Sequence, residues 1–189
     1  MCIRDSLRDA QFKTLRDVDN TGMAVTIDIG AANDIHPRNK QDVGKRLARW
    51  ALADTYGKKD VVKSGPVYSG FGVQDDGKSI NIVMKTFGSE LRVRQPEDQK
   101  PFQEEVQIQG FTIAGKDGKF FKANASLILQ PDGLEDALIG VWSDEVKNPV
   151  AVRYAWEDNP DEANLINEEG LPASPFRTDD FEGPTDGRR

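Results

Sequence analysis

The sequence predicts an α/β fragment over residues 7–60, then an antiparallel β-sandwich-like region over 61–157 and an extended C-terminal tail over 158–189. Three observations carry this. A strand pattern, a loop and an amphipathic helix follow one another before residue 60. Beyond it, short β-branched and aromatic runs recur at a spacing of roughly 8–12 residues, each bounded by turn residues. From Asp158 onward Pro, Gly, Asp and Glu dominate and apolar periodicity fades.

Taken in order, Leu7–Arg16 has helical character, with Leu7, Gln11 and Leu15 on one side, and Asp19-Asn20-Thr21-Gly22 is a turn signal. Met23–Ile29 alternates Met23, Val25, Ile27 and Ile29 with smaller or polar residues, the pattern of a strand. Gly30–Pro37 is a loop. From about Asn39 the spacing turns helical, with Val43, Leu47, Trp50 and Ala51 at i, i+4, i+7 and i+8. Pro37 fits near the helix entry, where its missing N–H is harmless. Gly57, followed by Lys58 and Lys59, fits the helix end.

In the second region, Val67–Val73 and Ile80–Thr86 flank Asp75-Asp76-Gly77, a hairpin signal. Val106–Ile113, Phe120-Phe121, Ala125–Gln130, Ala137–Trp142 and Val150–Trp156 read as further strands, with Lys116-Asp117-Gly118 as a turn. Tyr68, Phe71, Phe87, Phe111, Phe120 and Trp142 are the expected core, and Arg94–Gln103 a polar loop. Pro172–Arg177 is expected to drape over the surface, and Phe181–Arg189 to fray.

Composition removes several kinds of chemistry. The net charge of -7 is spread over interspersed acidic and basic residues, so no basic stripe offers itself to phosphates and nucleic acid is not an expected partner. No apolar run reaches the roughly 18 residues of a membrane span, so no membrane partner is expected either. One cysteine, Cys2, and one histidine, His36, leave no thiolate or multi-histidine metal site, and no cofactor is expected. The first six residues, Met-Cys-Ile-Arg-Asp-Ser, lack the apolar stretch of a signal peptide. They look like the in-frame translation of a sequencing-library adapter, so residues 1–6 read as a scar joined to a reading frame cut upstream of Leu7.

Acid–base work near neutral pH falls to His36 or to a carboxylate. In open α/β sheets reactive groups gather beyond the carboxyl ends of strands, and the loop after Met23–Ile29 carries Asn33, Asp34 and His36, with Asp28 at the strand end. A histidine with a carboxylate two residues earlier can serve a serine nucleophile: the acid orients the imidazole, and the imidazole moves the proton. Taken alone the pattern is weak. A lone loop histidine is more often structural or solvated, and Asp34 could equally cap the helix.

The stretch Ala24–Lys58, and within it Asp34-Ile35-His36-Pro37-Arg38-Asn39-Lys40, resembles the terminal catalytic block of bacterial sialate O-acetylesterases, which are SGNH-like hydrolases. The resemblance continues in Gly110–Gly115, Val146–Trp156 and Glu169–Asp179, and so covers nearly all of residues 7–181. It implies that residues 7–60 are the last strand and helix of an SGNH-like esterase domain. It implies His36 as catalytic base, Asp34 as orienting acid with Asp28 second, an O-acetylated sugar as substrate, no cofactor, and a secreted or periplasmic setting. Two departures stand out. Asn33 occupies the position three before the histidine where these hydrolases place the acid, and Gly30-Ala31 stands where relatives often read Gly-Asp. No serine, including Ser64, Ser126 and Ser174, sits in a context matching the family's early nucleophile block. The chain by itself is therefore expected to be inactive. The alternative function is a non-enzymatic glycan-binding or interaction module built on the β region.

Overall fold

The computed structural model describes residues 3–95, 107–129 and 136–183. Two α-helices, α1 (Ile3–Asp17) and α2 (Lys40–Trp50), precede ten short strands, and α2 runs on into one π-helical turn, Ala51–Thr55. The strands are β1 (Val67–Val73), β2 (Ser79–Lys85), β3 (Leu91–Val93), β4 (Phe111–Ala114), β5 (Phe120–Lys122), β6 (Asn124–Leu129), β7 (Asp136–Trp142), β8 (Ala151–Tyr154), β9 (Leu165–Asn167) and β10 (Phe176–Arg177). They form two four-stranded sheets, ordered β1-β2-β7-β6 and β10-β8-β4-β5, and a two-stranded sheet β3-β9. All pairings are antiparallel.

Strand periodicity explains the core. Ile80, Ile82 and Met84 of β2 pair with Val141, Ile139 and Ala137 of β7, and all six point the same way and are buried. Phe111 and Ile113 of β4 pair with Tyr154 and Val152 of β8, and both sheets feed one apolar cluster. The hairpin β1–β2 turns where Asp75-Asp76-Gly77 predicts, with Gly77 at φ 64, a conformation open to glycine.

Several expectations are corrected. Met23–Ile29 is not a strand: it has no ladder partner among the described residues, and turns at Ile27-Asp28. Side chains take over its carbonyls, Met23 O accepting from Trp50 Nε1 at 2.8 Å and Val25 O from Arg46 Nη1. A strand needs a neighbour as well as an alternating sequence. Trp142 is 37% exposed because strand period places it with Leu138 and Gly140, on the face opposite Ile139 and Val141. Phe71 is exposed on the edge strand β1, beyond a bulge. Of Val106–Ile113, Val106 lies outside the described residues and pairing starts only at Phe111, after Gly110 bends the chain at φ 90. Leu7–Arg16 does lie in helix α1, whose buried residues, among those described, are Asp5, Asp9 and Phe12, with Leu7 and Gln11 exposed.

The tail holds the largest surprise. Leu171–Phe176 is buried throughout rather than draped over the surface. Phe176 stacks on Tyr68 with ring centres 4.6 Å apart and sits 6.0 Å from Tyr154. Asn167, fully buried, donates to Ser64 O at 3.2 Å and accepts from Leu171 N at 2.8 Å. Asp179 receives both Nε and Nη2 of Arg153, at 2.8 and 2.7 Å. Arg94 and Gln95 lie outside any strand, while 96–103 of the expected polar loop and 184–189 of the expected frayed end lie outside the described residues.

Candidate active site

The His36 loop is shaped by short-range hydrogen bonds. Asp34 N donates to Ala31 O at 3.2 Å, and the Asp34 carboxylate accepts the backbone N–H of His36 at 2.7 Å. Aspartate commonly closes such a turn on the main chain two residues ahead. Asn39, not Asp34, caps α2: its Oδ1 accepts from Asp42 N at 3.1 Å and its Nδ2 donates to the Asp42 carboxylate. Those contacts, and Lys45 beyond them, hold the Asp42 carboxyl below its ordinary range. Asp34 and His36 are thus brought together, but through the backbone of His36, and both side chains are exposed.

Asp28 is engaged elsewhere. Arg46 grips it with two parallel bonds of 2.6 and 2.7 Å, and Arg94 approaches it at 3.4 Å. Arg46 and Asp28 are nearly buried, so each charge depends on the other. Asp28 and Arg94 line a cleft of about 240 Å³ together with Gly30, Ala32, Asn159 and Asp161. Sequence reasoning missed both arginines. A signal existed for Arg46, which shares the helical face of Val43 and Trp50 at i, i+3 and i+7 and so had to meet an acceptor inside.

No family profile matches the chain. A carbohydrate acetylesterase from Xanthomonas citri, known from a crystal structure, is 44% identical and superposes with a TM-score of 0.79 over 94% of this chain and 36% of its own. The sialate O-acetylesterase of the mouse, Mus musculus, is 31% identical over 167 residues, which are 83% of this chain and 28% of the mouse protein. Over most of its length the chain is similar to these carbohydrate and sialate O-acetylesterases. It spans well under half the length of either relative. The likeness extends to the fold, a mostly-sheet chain with two helices and antiparallel sheets.

Other residues of this sialate O-acetylesterase relative have structural work to do. Trp50 is buried, meets Phe87 edge-on at 6.1 Å and carries the Lys63 ammonium 4.9 Å from its ring centre. Arg38 and Lys40 are exposed at the start of α2. Tyr154 is fully buried, burial pushes its phenol far up, and its oxygen accepts from Leu165 N at 3.0 Å. Ser64 and Ser174 are buried, and Ser126 is exposed on β6. Among the described residues no three His, Cys, Asp or Glu side chains gather as metal ligands, and no helix is long and apolar enough to cross a membrane.

Proposed function

We propose that the chain is the histidine-bearing, C-terminal part of a serine carbohydrate esterase that removes O-acetyl groups from sialic acid or related glycans. In this reading residues 7–60 close an SGNH-like esterase domain. The two four-stranded sheets are its β-sandwich-like accessory region, and the parent works in a secreted or periplasmic setting. His36 takes the proton from a serine hydroxyl as that oxygen attacks the acetyl carbonyl. It then returns the proton to the departing sugar oxygen, and water releases acetate from the acyl-serine by the same proton route. Asp34 acts as a positioning residue that fixes the loop. Residues 1–6 are foreign to the parent; the buried Asp5, whose Oδ2 finds no partner among the described residues, supports that origin.

One observation carries the proposal: the single imidazole of the chain is exposed, on a turn pinned by the Asp34 carboxylate, where a hydroxyl from outside the turn can reach it. The chain alone is expected to leave an aryl acetate unhydrolysed, since it lacks the nucleophile and the oxyanion donors that supply much of the rate. The deciding test is a chimera in which residues 7–183 replace the matched segment of the Xanthomonas enzyme. It should hydrolyse the aryl acetate, and His36→Ala should lower its kcat about 10³-fold. An active chimera indifferent to His36→Ala ends the proposal.

A second reading, a glycan-binding module, draws on a groove of about 500 Å³ lined by Phe12, Trp50, Tyr68 and Phe87 with Lys63 and Lys85. Saturable oligosaccharide binding by the unmodified chain, lost on Phe87→Ala, favours it.

A further inference from the structure

Trp142 ends β7 on the outward face of the first sheet and is 37% exposed. Its neighbours on that face are uncharged. Ser79 and Asn124 stand directly across from it on the flanking strands. One row further on, Asn81 and Ser126 stand on either side of Gly140. Asn124 and Ser126 are exposed, and Ser79 and Asn81 half-buried. Ile128 lies across Gly140, where a Cβ would come within 2.8 Å of its Cδ1, and extends an apolar shelf beside the indole. An aromatic anchor set among Ser, Asn and Gly is a rigid contact surface with adaptable hydrogen bonding around it.

The shelf adjoins a cleft of about 450 Å³. Asn124, across from Trp142, and Ser143, next to it in the chain, both line this cleft, with Gln107, Gln109, Asp144 and Glu145. The walls are fixed. Asn164 donates to Gln107 O at 2.9 Å and accepts from Gln109 N at 2.8 Å, which pins the stretch carrying both glutamines. Ser143 O accepts from Val146 N at 3.2 Å and Ser143 Oγ from Glu145 N at 3.4 Å, closing the turn that carries Asp144 and Glu145. Lys122 also lines the cleft, but it is paired with Glu162 at 2.8 Å, so the two carboxylates of the turn set the sign of the site. The cleft shares no lining residue with the groove at Phe87 or the cleft at Asp28. Lys85, which lines the Phe87 groove, lies about 20 Å from Ser79 along β2.

We propose that the Trp142 shelf and its adjoining cleft bind a neutral oligosaccharide. A pyranose offers a face of C–H bonds to an indole and a rim of hydroxyls to amides, hydroxyls and carboxylates. Asp144 and Glu145 accept from those hydroxyls and repel an anionic ligand, so the sugar bound here carries no acid. A cleft of this size with converging polar groups belongs to the ligand-binding class. The inference goes beyond the esterase reading, whose chemistry needs no such site. Holding the neutral stretch of a glycan here raises the effective concentration of its acetylated end.

The test titrates the unmodified chain with cellotriose, maltotriose and N-acetyllactosamine, three neutral sugars of different linkage, and with sialic acid, by calorimetry. Saturable binding of at least one neutral sugar is expected, with sialic acid at least about tenfold weaker at this site. Trp142→Ala should weaken the neutral sugar at least about tenfold, the loss typical of an aromatic anchor. Trp142→Phe, which keeps a flat ring, should weaken it less, and Phe87→Ala should leave it unchanged. Should Trp142→Ala alter the circular dichroism, Asn124→Ala and Gln109→Ala, both on exposed side chains, give the answer by weakening binding with the dichroism intact. No saturation by any of the three neutral sugars overturns the proposal. So does binding that is lost on Phe87→Ala but not on Trp142→Ala, equal binding of sialic acid, or self-association of the chain through Trp142. None of these outcomes touches the esterase reading, which the chimera decides.

Discussion

At His36 the Asp34 carboxylate meets the main-chain N–H of the histidine, where the sequence reading expected it to orient the ring. Asp34 precedes the histidine by two, and at that spacing a carboxylate reaches the main-chain N–H more readily than the ring. Its role is therefore to place the loop, which gives a prediction separating position from charge. In the active chimera Asp34→Ala should lower kcat by up to about 10²-fold, the scale of a misplaced catalytic group. Asp34→Asn, which keeps an acceptor oxygen, should retain most of the rate. If the asparagine variant falls as far as the alanine variant, the charge of Asp34 matters after all. Asp28 was legible as a carboxylate near the site, but not its capture by Arg46 and Arg94, because Arg94 arrives from a distant part of the chain. Asp5 supplies the pH-dependent case. Burial raises its carboxyl above 3.8, outweighing the attraction of Arg8. A raised carboxyl contributes stability below its ordinary value and loses it as pH rises through the folded value. Asp5→Asn should therefore stabilise the chain near pH 7 and matter least near pH 3, read from urea midpoints at each pH. A larger gain at the acid end contradicts the assignment.

Among the elements, those defined by local signals were legible and those defined by distant partners were not. The β1–β2 hairpin follows from two alternating runs around Asp-Asp-Gly, and α2 from its apolar spacing, though its cap is Asn39 where the sequence offered Asp34. Met23–Ile29 alternates as cleanly as β2, yet has among the described residues no neighbour that makes alternation into a strand. Conversely β9 and β10, three and two residues long, carry too little pattern to be read, and exist because β3 and β8 present open edges to them. The junction of Gly65 with Pro172 is of the same kind. A Cβ at Gly65 would lie 2.2 Å from Pro172 O and 2.6 Å from Leu171 O, both main-chain atoms unable to yield without moving the buried tail. Gly65→Ala should thus cost about 1–3 kcal/mol, the range for overfilling a packed site. Gly70→Ala, where a Cβ meets nothing within 4 Å, is the matched control on β1. Equal urea midpoints for the two variants disprove the close approach.

Taken as a whole, the molecule is closed by its tail. Phe176 touches Tyr68 of the first sheet and Phe111 and Tyr154 of the second, at 4.6, 6.2 and 6.0 Å between ring centres. The flanking residues fasten it: Ser174 N donates to Pro66 O, Thr178 N to Val152 O, and Arg177 reaches Asp9 of α1 at 3.5 Å. Arg8 of α1 in turn donates to the carbonyls of Glu157 and Asp158 at 2.7 and 3.1 Å. Helix, sheets and tail therefore share one set of contacts, and loosening one end should loosen all. Phe176→Ala removes a fully buried ring and should cost about 3–5 kcal/mol. The loss should appear as a single transition, with tryptophan fluorescence, which includes Trp50 at the end of α2, and far-ultraviolet circular dichroism shifting to the same lower urea concentration. The tail's contacts make that coincidence the expected result, because α1 loses the bonds of Arg8 to the Glu157 and Asp158 carbonyls and the approach of Arg177 to Asp9 once residues 157–177 have left. Fluorescence that held its original midpoint while the dichroism moved would show that residues 7–60 stand without the tail, and that Phe176 fastens the two sheets alone.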